Sequence, residues 1–465
     1  MLFSSPAFFL FFAVYFGLHL IVPARHRVWL IIAGSTLFYA WWRVEYVWLP
    51  YALMATAYLG VMWMEGAPDE RARRRRAGAA IAVLFVPLLF FKYTDFVYRD
   101  VLGPLFGWRG ALLNLPLPLG VSFVTFTLTA YVVDICRRKF PGHQRPSTVL
   151  AYVLFFPHLI AGPILRPSEL IPQLDRPQPA RVGRVVVPLA IFTLGLVKKL
   201  VFADQIAQAV DGVYGLAPGA VSGPAALLAI YGFSAQIYCD FSGYTDMAIG
   251  LALLLGVRLP TNFLRPYAAH SLLDFWRRWH ITLSHWLRDY LYIPLGGSRH
   301  GRIREMRNVI VTMVLGGLWH GASWTFVIWG LLHGIGVATV HTVHRTLNGS
   351  RTLPRWLGVL MTFHFVTLAW VFFRAPSVAR AAQMLRAPFI GGGWGDALAF
   401  AGRNVFVLVL VAAFFALHRF DDQRRVKAAV RYVRPEVLWP ALILLWVIAI
   451  TVSQGSSAKF IYFDF

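Results

Sequence analysis

The residue best placed for chemistry in this sequence is His320. Between Val309 and Leu332 no other side chain ionises, and three glycines, Gly316, Gly317 and Gly321, crowd the imidazole. An ionisable group in so apolar a run is costly, and it marks a partner, a cavity or a site. Glycines beside it let a backbone or a ligand approach closely, or let a helix break. Taken alone, such a histidine is more often a satisfied packing residue than a catalyst. A second imidazole changes the balance. His280 lies in "SLLDFWRRWHITLSHWLRDYLYIPLGGSR", 271–299. At 3.6 residues per turn, Phe275, Trp276, Trp279, Leu283, Trp286, Leu287, Tyr290 and Leu291 share an apolar face, opposite Asp274, Arg278, His285 and Arg288. Arginine on one face and tryptophan on the other is the pattern of a helix lying in a membrane interface. His280 falls on the inward stripe Trp276, His280, Leu283, Leu287, whereas His285 faces water. Neutral imidazole in a desolvated setting can act as a general base, so His280 and His320 are the candidate catalytic residues.

Polar groups nearby widen the candidate site. In "DFSGYTD", 240–246, Asp240 and Asp246 sit in an apolar region and could orient a histidine or bind a polar substrate, and packing roles fit them equally. Ser242 between them lacks the G-x-S-x-G elbow of a hydrolase nucleophile. With Trp276, Arg277, Arg278, Trp279 and Trp319 around the imidazoles, these three form the candidate substrate-binding set. Cys136 and Cys239 match no metal-ligand spacing, nothing in the sequence supports a disulfide between them, and no metal is expected. There is no H-E-x-x-H, no phosphate-binding loop and no dinucleotide fingerprint.

The elements that must position these residues are membrane spans. The 465 residues are 58% hydrophobic and 14% charged, with mean hydropathy +0.60, more apolar surface than a soluble core of this size could hide. Apolar windows near the bilayer thickness predict spans at about 6–22, 28–42, 46–65, 78–98, 116–135, 148–165, 185–205, 221–256, 308–343, 355–373, 404–419 and 436–453. The windows 221–256 and 308–343 are too long for one simple span, and Gly316 and Gly317 could divide the second. The sequence shows no soluble domain and no internal repeat, so 1–465 reads as one integral-membrane domain. The first segment lacks the basic flank of a cleavable signal.

The net charge of +23 would suggest nucleic acid in a soluble protein, but here the positive charges fall in short loops between spans. "PDERARRRRAG" (68–78), "CRRKFPGHQR" (136–145) and 418–434 should be cytoplasmic. Both termini then lie on the outer side. The region 146–184 has basic flanks at each end, which points to a re-entrant or broken element.

At this stage a resemblance can be stated. "FFKYTDF" (90–96), "LPLGVSFVTF" (117–126), "FFPHLIAGPILR" (155–166), "GLVKKLVFAD" (195–204), "YCDFSGYTDMAIGLALLLG" (238–256), "FWRRWHITLSHWLRDYLYIPLGGSR" (275–299) and "LGGLWHGASWTFVIWGLLHG" (315–334) occur in one order. Together they resemble the bacterial membrane-bound O-acyltransferases (MBOAT), in the alginate O-acetylating, AlgI-like branch, across essentially the whole chain. The resemblance implies an all-α polytopic fold, a ring of about 11–12 transmembrane helices with re-entrant and interfacial helices around a central funnel. It places the family's invariant histidine on His320 and its second, Asn or His, on His280. One departure is His285, where a small residue is expected. It also implies a bacterial inner-membrane location and transfer of an acetyl group from acetyl-coenzyme A or an acylated carrier, as a substrate rather than a bound cofactor. The acceptor is a polysaccharide, and a periplasmic or membrane-anchored serine-type acetyltransferase is implied as partner. The family also contains peptidoglycan and D-alanyl transfer proteins.

Two other classes compete. A secondary transporter would need buried polar residues at the midplane, but it would be expected to show a repeat. A non-catalytic envelope scaffold would not need His280 and His320 in apolar positions.

Overall fold

A computed structural model describes residues 1–107, 110–176, 185–217, 219–346, 354–453 and 461. All regular structure among them is helical. Among the described residues, six helices are long and apolar enough to cross a membrane: Val44–Glu65, Glu70–Phe106, Val186–Gly215, Trp324–Val343, Arg355–Arg374 and Pro435–Ser453. A seventh span forms if Ala397–Arg403 and Val405–Phe420, bent by 83°, count as one. The protein is an all-helical, multi-pass membrane protein. The other expected spans are short (Pro6–Ile21, Val121–Cys136), broken (146–159) or interrupted by buried charge (Gly223–Leu254). The chain divides into two compact units, Met1–Phe192 with Met247–Pro260, and Thr193–Asp246 with Thr261–Phe465.

In the first unit, Asp69 caps the helix Glu70–Phe96 by accepting from the Ala72 amide at 2.7 Å, so the helix starts at the arginine run. Arg73 then bonds Glu65 at 2.6 Å and the carbonyls of Ile135 and Cys136 at 2.8 and 3.2 Å, joining the ends of three helices. The expected broken element at 146–184 is broken in its described part. A nine-residue helix, Pro146–Leu154, gives way to the single turn Phe156–Leu159. Irregular backbone is tolerated in a membrane protein only where protein satisfies it. Here the Phe156 amide donates to Ser35 Oγ at 3.1 Å, Tyr152 Oη donates to the Leu165 carbonyl at 2.8 Å, and His158 Nε2 bonds the Tyr152 carbonyl at 2.8 Å.

In the second unit, two expectations need correction. The 308–343 window does divide, but not at Gly316–Gly317. One helix runs Arg302–His320 and the next Trp324–Thr346, with the turn at 321–323. The glycines instead bring the two helices into contact: a Cβ on Gly317 would lie 2.3 Å from the Phe326 carbonyl oxygen, and one on Gly330 would lie 2.5 Å from that of Met313. The helix ends where Gly321 packs under the Phe326 ring, leaving no room for a Cβ, and Ser323 Oγ then accepts from the Thr325 amide at 3.3 Å. The 271–299 segment, in turn, is not one interfacial helix. It consists of Leu272–Trp276, a turn, Ile281–Leu287 and a π-helical turn Arg288–Tyr292. The break falls at His280, whose φ of 42° and ψ of 54° are left-handed, and a regular helix cannot pass through that conformation. The window 221–256 is a single helix of 32 residues, Gly223–Leu254.

The close approach at Gly317 predicts that Gly317→Ala destabilises the protein by about 1–3 kcal/mol through overpacking. Gly17→Ala, with nothing within 4 Å of its new methyl, should leave the melting temperature unchanged or slightly raised. Thermal unfolding in detergent compares the two variants.

Candidate active site

His280 owes its place to one amide. The Asn262 side-chain oxygen accepts from the Thr282 amide at 3.1 Å and from Thr282 Oγ1 at 2.9 Å, and His280 Nδ1 lies 3.3 Å away. The backbone donor fixes which end of the amide is oxygen, so His280 Nδ1 is the protonated nitrogen and Nε2 carries the lone pair. Nε2 has no hydrogen-bond partner among the described residues, and the residue is 0% exposed. Burial pushes its pKa down to about 3. A neutral imidazole with a free acceptor nitrogen can accept a hydrogen bond from a bound substrate, but a pKa this low makes it a weak proton acceptor on its own.

His320 is the last residue of the Arg302–His320 helix and is 3% exposed. Its ring meets Trp319 at 5.0 Å, Trp329 at 5.2 Å and Phe373 at 5.3 Å, all edge-on. Trp319 also faces His280, at 6.3 Å, so a single indole lies against both imidazoles. Phe241 completes the wall at 4.6 Å from His280. Rings on this many sides exclude water and lower the local dielectric.

The remaining predicted contacts divide. Trp279 is buried against Phe263, Phe275 and Trp370 and forms the floor of this enclosure. Trp276 reaches Trp329 at 5.9 Å, with its indole nitrogen buried and unpartnered among the described residues. Arg277 is exposed, and Arg278 is held by Asp274 at 2.7 Å. Ser242 is buried, and its hydroxyl has no partner among the described residues. Asp240 and Asp246 face lysines rather than imidazoles. Lys199, 2% exposed, bonds Asp240 at 2.7 Å and Asp204 at 2.8 Å, and Lys198 bonds Asp246 at 2.7 Å and Asp421 at 2.6 Å. Gln423 donates to Asp246 and Tyr238 to Asp421. The Ile461 amide takes the second oxygen of Asp240 at 2.7 Å. Gly243 makes room for this network: a Cβ there would lie 2.7 Å from the Gly195 carbonyl oxygen.

The sequence reading missed three groups. Lys198 and Lys199 were visible as two charges in an apolar window. Asn262 gave no signal, since a lone asparagine in a loop is unremarkable. The third is His333, 0% exposed, with neither ring nitrogen hydrogen-bonded among the described residues, set between Trp276 at 5.2 Å and Trp329 at 4.9 Å. It is an ionisable group in an apolar span, the same signal that singled out His320. No metal-holding cluster is found among the described residues, and both cysteines are free. The aromatic tail residues Phe460, Tyr462, Phe463 and Phe465 lie outside the described residues.

The fold and site define a multi-pass helical membrane protein that encloses imidazoles in aromatic rings, away from water. Residues 137–378 match the MBOAT, membrane-bound O-acyltransferase family. The chain is 38% identical to the probable alginate O-acetylase AlgI of Pseudomonas putida over all of both chains. It is 40% identical to the protein of that name in Pseudomonas aeruginosa, over 91% of this chain and 83% of the relative. It is 38% identical to the peptidoglycan O-acetyltransferase of Helicobacter pylori, over 83% and 79%. The chain belongs to the membrane-bound O-acyltransferase family, in its AlgI-like branch, and is an O-acyltransferase. That membership displaces the transporter and scaffold readings.

Two outcomes are expected from this geometry. His280 has a folded pKa below its unfolded value near 6.5, so the unfolded chain binds the extra proton and stability falls as pH drops from about 6.5 toward 3. The slope of unfolding free energy against pH should be smaller in His280→Asn than in wild type, by up to about 1.4 kcal/mol per pH unit. Equal slopes would mean that His280 titrates normally. Separately, Lys199→Met strands two buried carboxylates and should cost about 3–5 kcal/mol. Adding Asp204→Asn and Asp240→Asn should recover part of that loss in the same melting assay.

Proposed function

We propose that this protein moves an acetyl group from a cytoplasmic thioester, acetyl-coenzyme A or an acylated carrier, across the bacterial inner membrane for O-acetylation of an envelope or secreted polysaccharide. The observation that carries the reading is the shared indole: two buried imidazoles, His280 and His320, face the same Trp319. In this scheme His320 removes the proton from an acceptor hydroxyl as its oxygen attacks the thioester carbonyl. The tetrahedral intermediate collapses by breaking the carbon–sulfur bond, and the imidazolium returns the proton to the departing thiolate. The positive charge gained in transit faces the carbonyl end of the Arg302–His320 helix, which favours it. His280, fixed by Asn262, aligns the donor or supports His320, and Trp276, Trp279 and Trp319 exclude the water that would hydrolyse the thioester. Asp240 and Asp246 act through the lysines they hold rather than on the substrate. No resident metal or cofactor enters the scheme.

The P. putida and P. aeruginosa relatives favour an alginate-like acceptor, and the H. pylori relative makes peptidoglycan the second reading. Basic loops at 68–78, 136–145 and 418–434 place those segments in the cytoplasm and both termini in the periplasm. In this reading the acetyl group passes at the funnel mouth to a periplasmic or membrane-anchored serine-type acetyltransferase, the partner the family resemblance implies. Membrane lipid is the only other partner in this reading, and nucleic acid has no part in it.

The test is transfer of labelled acetyl from a thioester donor by purified protein in liposomes. His320→Ala, and His320→Gln as a volume control, should lower the rate by a factor on the order of 10²–10⁴ while insertion and melting temperature stay close to wild type. Normal transfer by both variants would remove the proposed base. Polymer acetylation by the wild-type chain alone, with no second protein, would remove the hand-off.

A further inference from the structure

A groove of about 660 Å³ opens in the first unit where the arginine-bearing start of the Glu70–Phe96 helix meets the end of Val121–Cys136. Its floor is apolar and small: Ala77, Gly78, Ile81 and Val133. A Cβ on Gly78 would meet nothing within 4 Å, so the space is open rather than collapsed. Three guanidinium groups, from Arg74, Arg137 and Arg138, stand on its rim with Glu70. Glu70 is already taken by Arg138. Arg74 makes no hydrogen bond or ion pair to any described residue, in contrast to Arg73 and Arg76 beside it, which hold Glu65 and the Trp63 carbonyl. Arg138 is one of four non-glycine residues with positive φ among the described residues, at 57°, a conformation that ends the helix and brings two consecutive arginines to one rim.

We propose that this groove binds the headgroup of an anionic phospholipid. The charge and the shape argue together. An arginine fork matches a phosphodiester in geometry and sign, and basic pockets between membrane helices recognise such headgroups at about 1 kcal/mol per cation. The apolar floor continues up the same helix face in steps of four residues from Ile81, through the half-buried Phe85 to the exposed Leu89, which is where an acyl chain attached to the bound headgroup would run. A soluble anion would use the rim and gain nothing from that continuation.

Cys136 lines the groove and is partly exposed, whereas Cys239 is buried, so the protein carries its own reporter. The experiment measures alkylation of Cys136 by the uncharged reagent N-ethylmaleimide, by intact mass, in nanodiscs of phosphatidylcholine and of phosphatidylglycerol. Phosphatidylglycerol should slow wild-type labelling on the order of tenfold, as for a ligand near ten times its dissociation constant. The Arg74→Gln, Arg137→Gln double variant should label at similar rates in both lipids. If that variant melts early, Arg74→Gln alone gives the same direction with a smaller effect. Equal wild-type rates in the two lipids overturn the proposal. So does protection that persists in the variants, which reports surface potential only. Protection in phosphatidylcholine by 10 mM inorganic phosphate, at about the level of phosphatidylglycerol, would assign the groove to a soluble anion and overturn the lipid as occupant.

Discussion

Charge in an apolar medium must be neutralised where it stands, and in this protein that requirement is concentrated on two adjacent lysines. Lys198 and Lys199 each hold two carboxylates: Asp246 and Asp421 for Lys198, Asp240 and Asp204 for Lys199, with Asp240 and Asp246 on the Gly223–Leu254 helix. Removing either lysine strands two carboxylates, so the pairs hold the elements that carry them in one rotation and depth. The Gly223–Leu254 helix also carries Phe241, the ring packed against His280. The geometry at the imidazole therefore inherits its register from ion pairs that do not touch it.

Within the site, polar groups are few and aromatic rings are many. Asn262 spends its oxygen on Thr282 and His280, which decides both the bend of the chain and the tautomer of the ring. The rings of Trp319, Trp329 and Phe373 then close around His320. Such an enclosure keeps bulk water from a thioester carbonyl, and it leaves His280 neutral until a reaction supplies a charge.

Much of this was legible in the sequence, for reasons that differ from residue to residue. An imidazole alone in an apolar run is costly to bury, so His320 stood out, and His333 should have stood out by the same rule. His280 was rightly placed inward, but the helical wheel that put it there is broken at His280 itself. A left-handed residue that is not glycine leaves no trace in periodicity. Gly316 and Gly317 looked like a hinge because glycine signals permissiveness, and sequence does not say whether that freedom serves a bend or the close approach of a neighbouring helix. Asp240 and Asp246 were recognised as buried charges, yet their partners lie some forty residues away, a pairing that only the folded chain reveals. Asn262 was unreadable, since its importance lies in what its oxygen meets.

Asp240 has one further consequence, for how the protein is made. Its first oxygen meets Lys199, which precedes it in the chain, but its second accepts the amide of Ile461, 221 residues later. A nascent chain thus carries a carboxylate in an apolar environment, half satisfied, until translation has passed residue 461. The contact therefore ties the buried carboxylate of one helix to the far C-terminal stretch of the chain, and a chain shortened before residue 461 loses that bond to its core.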